Sequence, residues 1–143
     1  MDDLELARLC AEHMWTRDKA SHALGIEIDV PCPGEAVASM MVRDDMVNGF
    51  DVCHGGLLVA LADTAFAFAC NAYNDISVAA SVQSDFLRPA RRGDVLTATA
   101  KQEYRGRKSG YYTVEIRNQD DKLVTLFRGR SAATGAPLLP STK

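Results

Sequence analysis

One carboxylate interrupts the most apolar stretch of the chain. Asp63 follows Leu61 and Ala62 and precedes Ala65 and Phe66. An ionised carboxylate without partners is costly in apolar surroundings, and desolvated carboxylates are concentrated at active sites. Asp63 is therefore a candidate catalytic acid, base or nucleophile. The alternative interpretation is a structural carboxylate that makes a hydrogen bond in a polar interface.

The residues at the start of this stretch could bind a polar reacting group. His54-Gly55-Gly56 stands where a helix would begin, and the first turn of a helix presents unpaired N–H groups at the positive end of its dipole. Glycines let a ligand approach those groups closely. Such an end can hold a carbonyl oxygen on which negative charge develops during attack. The alternative is an ordinary helix start with glycines as loop residues.

Within one subunit, the carboxylate of Asp63 and the amides at Gly55 are too far apart to act on one reacting group. Asp63 lies eight residues after Gly55, which is about 12 Å along a helix axis at roughly 1.5 Å per residue. A nucleophile and the donors that polarise its target should both lie about 3 Å from one reacting site. If both features are catalytic, the donors are expected to come from another subunit. Two such helices packed antiparallel would form a dimer with two equivalent sites.

Length and periodicity predict the helices that carry these residues. The chain has 143 residues, 47% of them hydrophobic, which is typical of a single domain, here residues 1–143. A long helix that is apolar on all faces is predicted for residues 55–74. Residues 2–15 have the pattern of an amphipathic helix. Its candidate core contacts are Leu4, Leu6, Leu9 and Met14.

Strand-like composition and alternation predict the rest of the fold. The strand segments are 26–30, 37–42, 78–87, 94–103, 110–118 and 122–133. Short connections among the last four predict an antiparallel meander. The predicted class is α+β, a six-stranded antiparallel sheet that wraps around the long central helix and leaves one side open for dimerisation. Residues 135–143 are expected to form a frayed tail.

Composition argues against several classes of protein. A net charge of −3 shows no basic excess of the kind typical of nucleic-acid binding. The apolar segment 55–70 is shorter than the roughly 20 residues that span a bilayer, and the acidic N-terminus does not have the pattern of a signal peptide. Four cysteines in no zinc-site spacing and three scattered histidines predict no metal and no cofactor. Reduced thiols predict a cytoplasmic protein.

Two blocks of sequence resemble a known family. Residues 48–71, NGFDVCHGGLLVALADTAFAFACN, and residues 85–94, DFLRPARRGD, are similar to the hotdog-fold acyl-CoA thioesterases, in particular the phenylacetic acid degradation subfamily. The resemblance extends over about residues 20–133. It implies hydrolysis of an acyl-CoA, such as an aryl-acyl-CoA, to a free acid and CoA. It also implies a dimer, often paired into a tetramer.

The resemblance also implies roles for individual residues. Asp63 corresponds to the catalytic carboxylate and Gly55 to the residue whose backbone N–H polarises the thioester carbonyl. Asn48 matches an asparagine that orients the thioester or water, and His54 a histidine beside the thioester. Whether Asp63 attacks directly or activates water stays open. Some relatives carry a serine or threonine on the strand after the helix. Two ways of counting put that position at Ser81 or at Ala79.

Further candidates would contact the substrate. Gly56 lies beside the polarising amide, and Arg88, Arg105, Arg107 and Lys108 could bind the CoA phosphates. The alternative for these cations is a set of solvated turns. The aromatic residues Phe50, Phe66 and Tyr73 could line an acyl pocket, although an aromatic on an apolar helix is more often core.

Two other functions remain possible at this stage. One is a non-catalytic acyl-CoA-binding or regulatory module of the same fold, against which the retained Asp63 argues. The other is a hotdog dehydratase, whose chemistry usually needs a histidine base; His54 lies at the helix start rather than at the position of Asp63.

Overall fold

The computed structural model describes residues 1–141 as three helices, one short 3-10 turn and six strands. The helices are α1 (Asp3–Trp15), α2 (Lys19–Ala23) and α3 (Gly55–Cys70), and the 3-10 turn is Asp44–Met46. The strands are β1 (Glu27–Cys32), β2 (Glu35–Met41), β3 (Ser77–Phe86), β4 (Val95–Arg105), β5 (Ser109–Arg117) and β6 (Leu123–Ala133). Each predicted strand is present within a few residues of its expected bounds. The short helix α2 and the 3-10 turn were not predicted.

The sheet wraps around α3, as the sequence predicts. All strand pairs are antiparallel and the strand order is β1-β2-β4-β5-β6-β3. Helix α3 packs against all six strands. It ends at Cys70 rather than at residue 74, where Asn71 closes the helix by donating from its backbone N–H to the Ala67 carbonyl.

The expected meander of the last four strands is wrong for one of them. Strands β4, β5 and β6 form a meander, but β3 lies beyond β6 at the sheet edge and β4 pairs with β2. The segment between β3 and β4 is too long for a tight hairpin turn. It crosses the start of α3, where the Cys53 N–H donates to the Ala90 carbonyl at 2.7 Å and Val52 bridges to Arg91.

Close packing of α3 on β6 depends on one glycine. A Cβ atom at Gly129 would lie 2.8 Å from the ring of Phe66. The same ring packs against Tyr112 and Phe127, with centroid distances of 5.4 and 5.8 Å. A side chain at position 129 would therefore push the helix away from the sheet.

Both ends of the described chain differ from the sequence expectation. Helix α1 begins with a capping box between Asp2 and Glu5, but it buries Ala7 and Cys10, while Leu9 is exposed. Met14 packs against the core as predicted, and Leu4 and Leu6 are half-buried. Residues 135–139 are not frayed, because the side chain of Asn74 accepts hydrogen bonds from two of their backbone N–H groups. Residues 142 and 143 of the predicted tail lie outside the described residues.

Candidate active site

The first turn of α3 has two unpaired amides, and a small cavity lies beside the first of them. His54 caps the helix and its carbonyl accepts from Leu57 and Leu58, whereas within residues 1–141 the N–H groups of Gly55 and Gly56 have no acceptor. A cavity of about 310 Å³ lies beside Gly55. Its lining is largely apolar and consists of Asn48, Val52, Cys53, Gly55, Leu58, Phe86, Leu87, Arg88, Pro89 and Ala90.

Phe86 is a lining residue that the sequence did not single out. A Cβ at Gly55 would lie 3.4 Å from its ring, so the end of β3 closes one side of the helix start. Phe86 pairs with the buried Thr125, and paired residues share one face of a sheet. Alternation along β3 was the signal that could have placed Phe86 toward the helix.

Asp63 lies in the middle of α3. It is half-buried, and among residues 1–141 its carboxylate has no hydrogen-bond or ion-pair partner. Burial raises the pKa of this carboxyl above its ordinary value of 3.8, because removal from water disfavours the charged form. Asp63 is therefore a desolvated carboxylate without a compensating cation, as a nucleophile or general base requires.

The same desolvation should make Asp63 a source of instability at neutral pH. A carboxyl whose pKa is raised by folding favours the folded state at pH values below its unfolded pKa, and this contribution is lost as pH rises through the folded pKa. We expect Asp63→Asn to raise the melting temperature at pH 7 relative to wild type. The difference in melting temperature between the variant and wild type should become smaller as pH falls toward 3.8. Thermal unfolding of both proteins across that range tests this, and a variant less stable than wild type at pH 7 would contradict it.

Asn48 lies at the same end of the subunit as Gly55. Its Oδ1 accepts hydrogen bonds from the backbone N–H of Phe50 at 2.9 Å and of Val52 at 3.4 Å. The carboxamide oxygen is thereby occupied by the loop, and its amide group Nδ2 is left without an acceptor within residues 1–141. Asn48 therefore both shapes the loop and presents a free donor beside the cavity.

His54 and Gly56 face a different cavity from that of Gly55. This second space of about 300 Å³ is also lined by Asp45, Val47 and Leu57. His54 is exposed, and its ring nitrogen Nδ1 lies 3.7 Å from the position of a Cβ at Gly56. The two faces of the helix start thus separate His54 from the Gly55 cavity within one subunit.

The predicted phosphate-binding cations lie at opposite ends of α3. Arg88 lines the cavity at Gly55, while the guanidinium of Arg105 lies over the ring of Tyr73, 3.7 Å from its centroid, just beyond the C-terminal end of the helix. Sixteen helical residues separate these ends by about 24 Å. Arg107 and Lys108 are exposed in the turn that follows Arg105. One subunit alone therefore does not bring the two groups together.

A bulge in β3 determines where Ser81 points. Ala79 pairs with the buried Ser131, whereas Ser81 pairs with Arg130 after the register shift. Because paired residues share a face, Ala79 shares the helix-facing side and Ser81 the outer side, where it lines a groove with Arg128 and Arg130. The structure does not bring Ser81 to the face of Asp63.

Strand β3 is an unprotected edge. Most of its residues are exposed on both faces, including Val78 on the outer face and Val82 and Phe86 on the helix-facing one. An exposed strand edge with apolar side chains is a template for pairing with another strand. Strand β3 is therefore the edge at which a second strand could pair.

Within the described part of the chain, residues 1–141, no three His, Cys, Asp or Glu side chains are grouped as a metal site. In the same residues, no helix has the length and apolarity needed to cross a membrane.

Sequence comparisons identify related proteins. The family model described as the thioesterase superfamily matches residues 50–125. The acyl-coenzyme A thioesterase PaaI of Escherichia coli (strain K12) is 47% identical over 128 residues, covering 90% of this chain and 91% of that protein. A putative esterase of Archaeoglobus fulgidus is 34% identical, covering 82% of this chain and 77% of that protein.

Solved structures are similar over nearly the same region. The structure of the E. coli PaaI protein from the phenylacetic acid degradation operon superposes with a TM-score of 0.93 at 45% identity, covering 95% of this chain and 99% of that one. A mutant structure of the phenylacetic acid degradation protein PaaI from Thermus thermophilus gives a TM-score of 0.77 at 38% identity, covering 80% and 98%. The fold class expected from the sequence is thus confirmed.

Proposed function

Because this chain belongs to the thioesterase superfamily and is an acyl-CoA thioester hydrolase, we propose that its substrates are aryl-acyl-CoA thioesters such as phenylacetyl-CoA or hydroxyphenylacetyl-CoA. The products are the free acid and CoA. The observation that carries this proposal is a desolvated carboxylate without a partner, Asp63, in a fold that presents the unpaired amide of Gly55 to an apolar cavity.

Two properties support an aryl group on the substrate. The cavity at Gly55 has a volume of about 310 Å³, and a cavity of about 150 Å³ is already large enough to bind benzene. The similar E. coli protein comes from a phenylacetic acid degradation operon. An acyl group with an aromatic ring would therefore fit the available space and the apolar lining.

The proposed site needs two subunits. Helix α3 runs antiparallel to β3, since Gly55 lies beside Phe86 at one end and the Asn71 side chain bonds to Ser77 at the other. If the β3 edges of two copies pair around a two-fold axis close to Ser84, the two α3 helices lie side by side and antiparallel. Each Asp63 is then level with Gly55 of the other copy, which removes the separation of about 12 Å along one helix.

In such a dimer each active site takes one catalytic group from each copy. The Gly55 N–H of one copy donates to the thioester carbonyl and stabilises the negative charge that develops on its oxygen. Asp63 of the other copy attacks the carbonyl carbon or removes a proton from an attacking water. The C–S bond breaks and CoA leaves as a thiolate.

The same arrangement accounts for the two separated groups of cations. Antiparallel helices bring the Gly55 end of one copy alongside the C-terminal half of the helix in the other. Arg88 of the first copy and Arg105, Arg107 and Lys108 of the second then lie toward one site, where they would bind the CoA phosphates. Because salt screens charge–charge attraction, we expect the affinity for acyl-CoA to fall as the salt concentration rises.

Assembly beyond the dimer and cellular location are further parts of the proposal. Two dimers paired into a tetramer would follow the resemblance noted in the sequence. The cysteines Cys10, Cys32, Cys53 and Cys70 are all free thiols, which is typical of a protein kept in the reducing cytoplasm.

A direct assay tests the function. The protein is incubated with aromatic, short-chain and long-chain acyl-CoA thioesters, and released CoA is measured by the absorbance of a thiol reagent. Protein without substrate is the blank, because its own cysteines can react. Rapid thiol release with highest kcat/KM for the aromatic substrates supports the proposal. Binding without release would indicate a non-catalytic module, and an enoyl product would indicate a dehydratase.

Asn48 is expected to act through its Nδ2 donor. Asn48→Asp keeps an oxygen that can accept the two loop N–H groups but removes the donor, so we expect kcat/KM to fall by about 100-fold with the melting temperature unchanged. Asn48→Ala should lower both kcat/KM and the melting temperature. Asn118→Asp is the matched control, because Asn118 accepts two backbone N–H groups in the same way in the turn after β5. Equal activity of Asn48→Asp and wild type would assign Asn48 to loop structure alone.

A further inference from the structure

Phe50 is a large apolar residue that is almost fully exposed on the surface of the subunit. The residue is 87% exposed, the largest fraction among the large apolar residues in the described part of the chain. It stands at the tip of the loop formed by residues 48–52, directly before the start of α3. Burying a phenylalanine is worth about 1.5–3 kcal/mol relative to leaving it exposed, so full exposure gives up a favourable contribution to folding.

The loop that carries Phe50 is fixed rather than loose. Asn48 closes it by accepting hydrogen bonds from Phe50 and Val52. Asp51 adopts a left-handed conformation with φ of 62°. The guanidinium of Arg92 pairs with Asp51 and, at 3.2 Å, with Asp44. A tip held by this many contacts keeps the position of the Phe50 backbone defined before any ligand binds.

The loop borders the cavity at Gly55. Asn48 and Val52 are part of the cavity wall, and each lies two residues from Phe50. The wall already contains another aromatic ring, that of Phe86, and the aliphatic side chains of Leu58 and Leu87. Phe50 is therefore fixed between two residues of the cavity wall in sequence, and it is not itself a lining residue.

We infer that Phe50 is a specificity-determining residue, whose ring packs against the aryl end of an acyl group held at Gly55 of the same subunit. The inference rests on the proposed function. Aromatic rings attract one another beyond the effect of buried area alone, in offset or edge-to-face geometry. A short aliphatic acyl group does not extend to the rim and gains nothing from Phe50. Phe50 thus selects among substrates without taking part in bond cleavage.

The test compares substrates rather than total activity. We expect Phe50→Ala to lower kcat/KM for phenylacetyl-CoA at least about tenfold and to leave that for acetyl-CoA within about twofold. Phe50→Tyr, which keeps a ring, should retain most of the preference for the aryl substrate. Met41→Ala is the matched control, since Met41 is also an exposed large apolar residue but belongs to β2. Sedimentation of each variant reports its assembly state.

The outcomes separate this inference from the proposed function. Equal loss on both substrates, or a change in assembly state that accounts for the loss, would overturn the inference and make Phe50 a structural contact between copies. No loss on either substrate would overturn it as well. If wild-type protein hydrolyses acyl-CoA thioesters without preference for aryl groups, the inference is wrong while thioesterase activity stands. If wild type hydrolyses none of them, both are wrong.

Discussion

Asp63→Asn is expected to reduce kcat by about 10³-fold while substrate affinity changes little. A positioned general base contributes roughly 10²–10⁴-fold to a rate, and a missing nucleophile leaves no covalent route. Asparagine has nearly the same size and shape, so binding contacts and packing should remain. The change removes the negative charge and replaces one acceptor oxygen by an NH2 donor.

Two measurements test this prediction. Steady-state hydrolysis gives kcat, and calorimetry gives the affinity for acyl-CoA. Asp29→Asn provides the control, since Asp29 is an exposed carboxylate on β1. Unaltered turnover in Asp63→Asn would exclude both the nucleophile and the general-base role. A loss of binding that matches the loss of rate would instead make Asp63 a substrate-positioning residue.

Gly55→Pro is expected to lower kcat by about 10²–10³-fold in a folded protein. Proline lacks the N–H that we propose polarises the carbonyl, and loss of one such donor has an effect of this size. Position 55 is the first residue of α3, where proline is well tolerated. His54 already has the extended conformation, with ψ of 131°, that a residue before proline prefers.

Gly55→Ala is the control for this experiment. It keeps the N–H and adds only a Cβ at 3.4 Å from the Phe86 ring, so we expect a change of less than about tenfold. Circular dichroism verifies that both variants are folded. Gly55→Pro with wild-type kcat would show that the carbonyl is polarised elsewhere.

Mixing the two inactive variants tests whether their residues meet across subunits. In a heterodimer of Asp63→Asn and Gly55→Pro, one site carries both changes and the other carries neither. Random pairing of equal amounts makes half of the dimers mixed, so about a quarter of wild-type activity should return after unfolding and refolding together. If both residues served one site in one subunit, the mixture would be as inactive as its components.

Local patterns in the sequence predicted the elements of this fold well. Alternation located all six strands, and the uninterrupted apolar composition located α3. The position of β3 could not be derived in this way, because pairing across the sheet depends on contacts distant in sequence. For helix α1 the sequence indicated Met14, which packs against the core, but missed the fully buried Ala7 and Cys10, because small side chains contribute little to an apolar pattern.

The candidate site was only partly accessible to sequence reasoning. Residue type and spacing were enough to single out Asp63 and Gly55, whereas Asn48 was indicated only by the family resemblance. The sequence could not show that the carboxamide oxygen of Asn48 is occupied by its own loop. Nor could it place Phe86 against Gly55, since that contact joins a strand end to a helix start far along the chain.

The exposed edge of β3 has a consequence for the life of a newly made subunit. Natural proteins often guard a free edge with charges or proline, but the segment Ser77–Phe86 contains no proline and only Asp85 is charged. In the proposed dimer a second copy covers this edge, and before that pairing the edge can bind strands of other chains. Association of new subunits soon after synthesis would therefore limit aggregation. Dilution, which favours separate subunits, followed by concentration would promote aggregation of the purified protein.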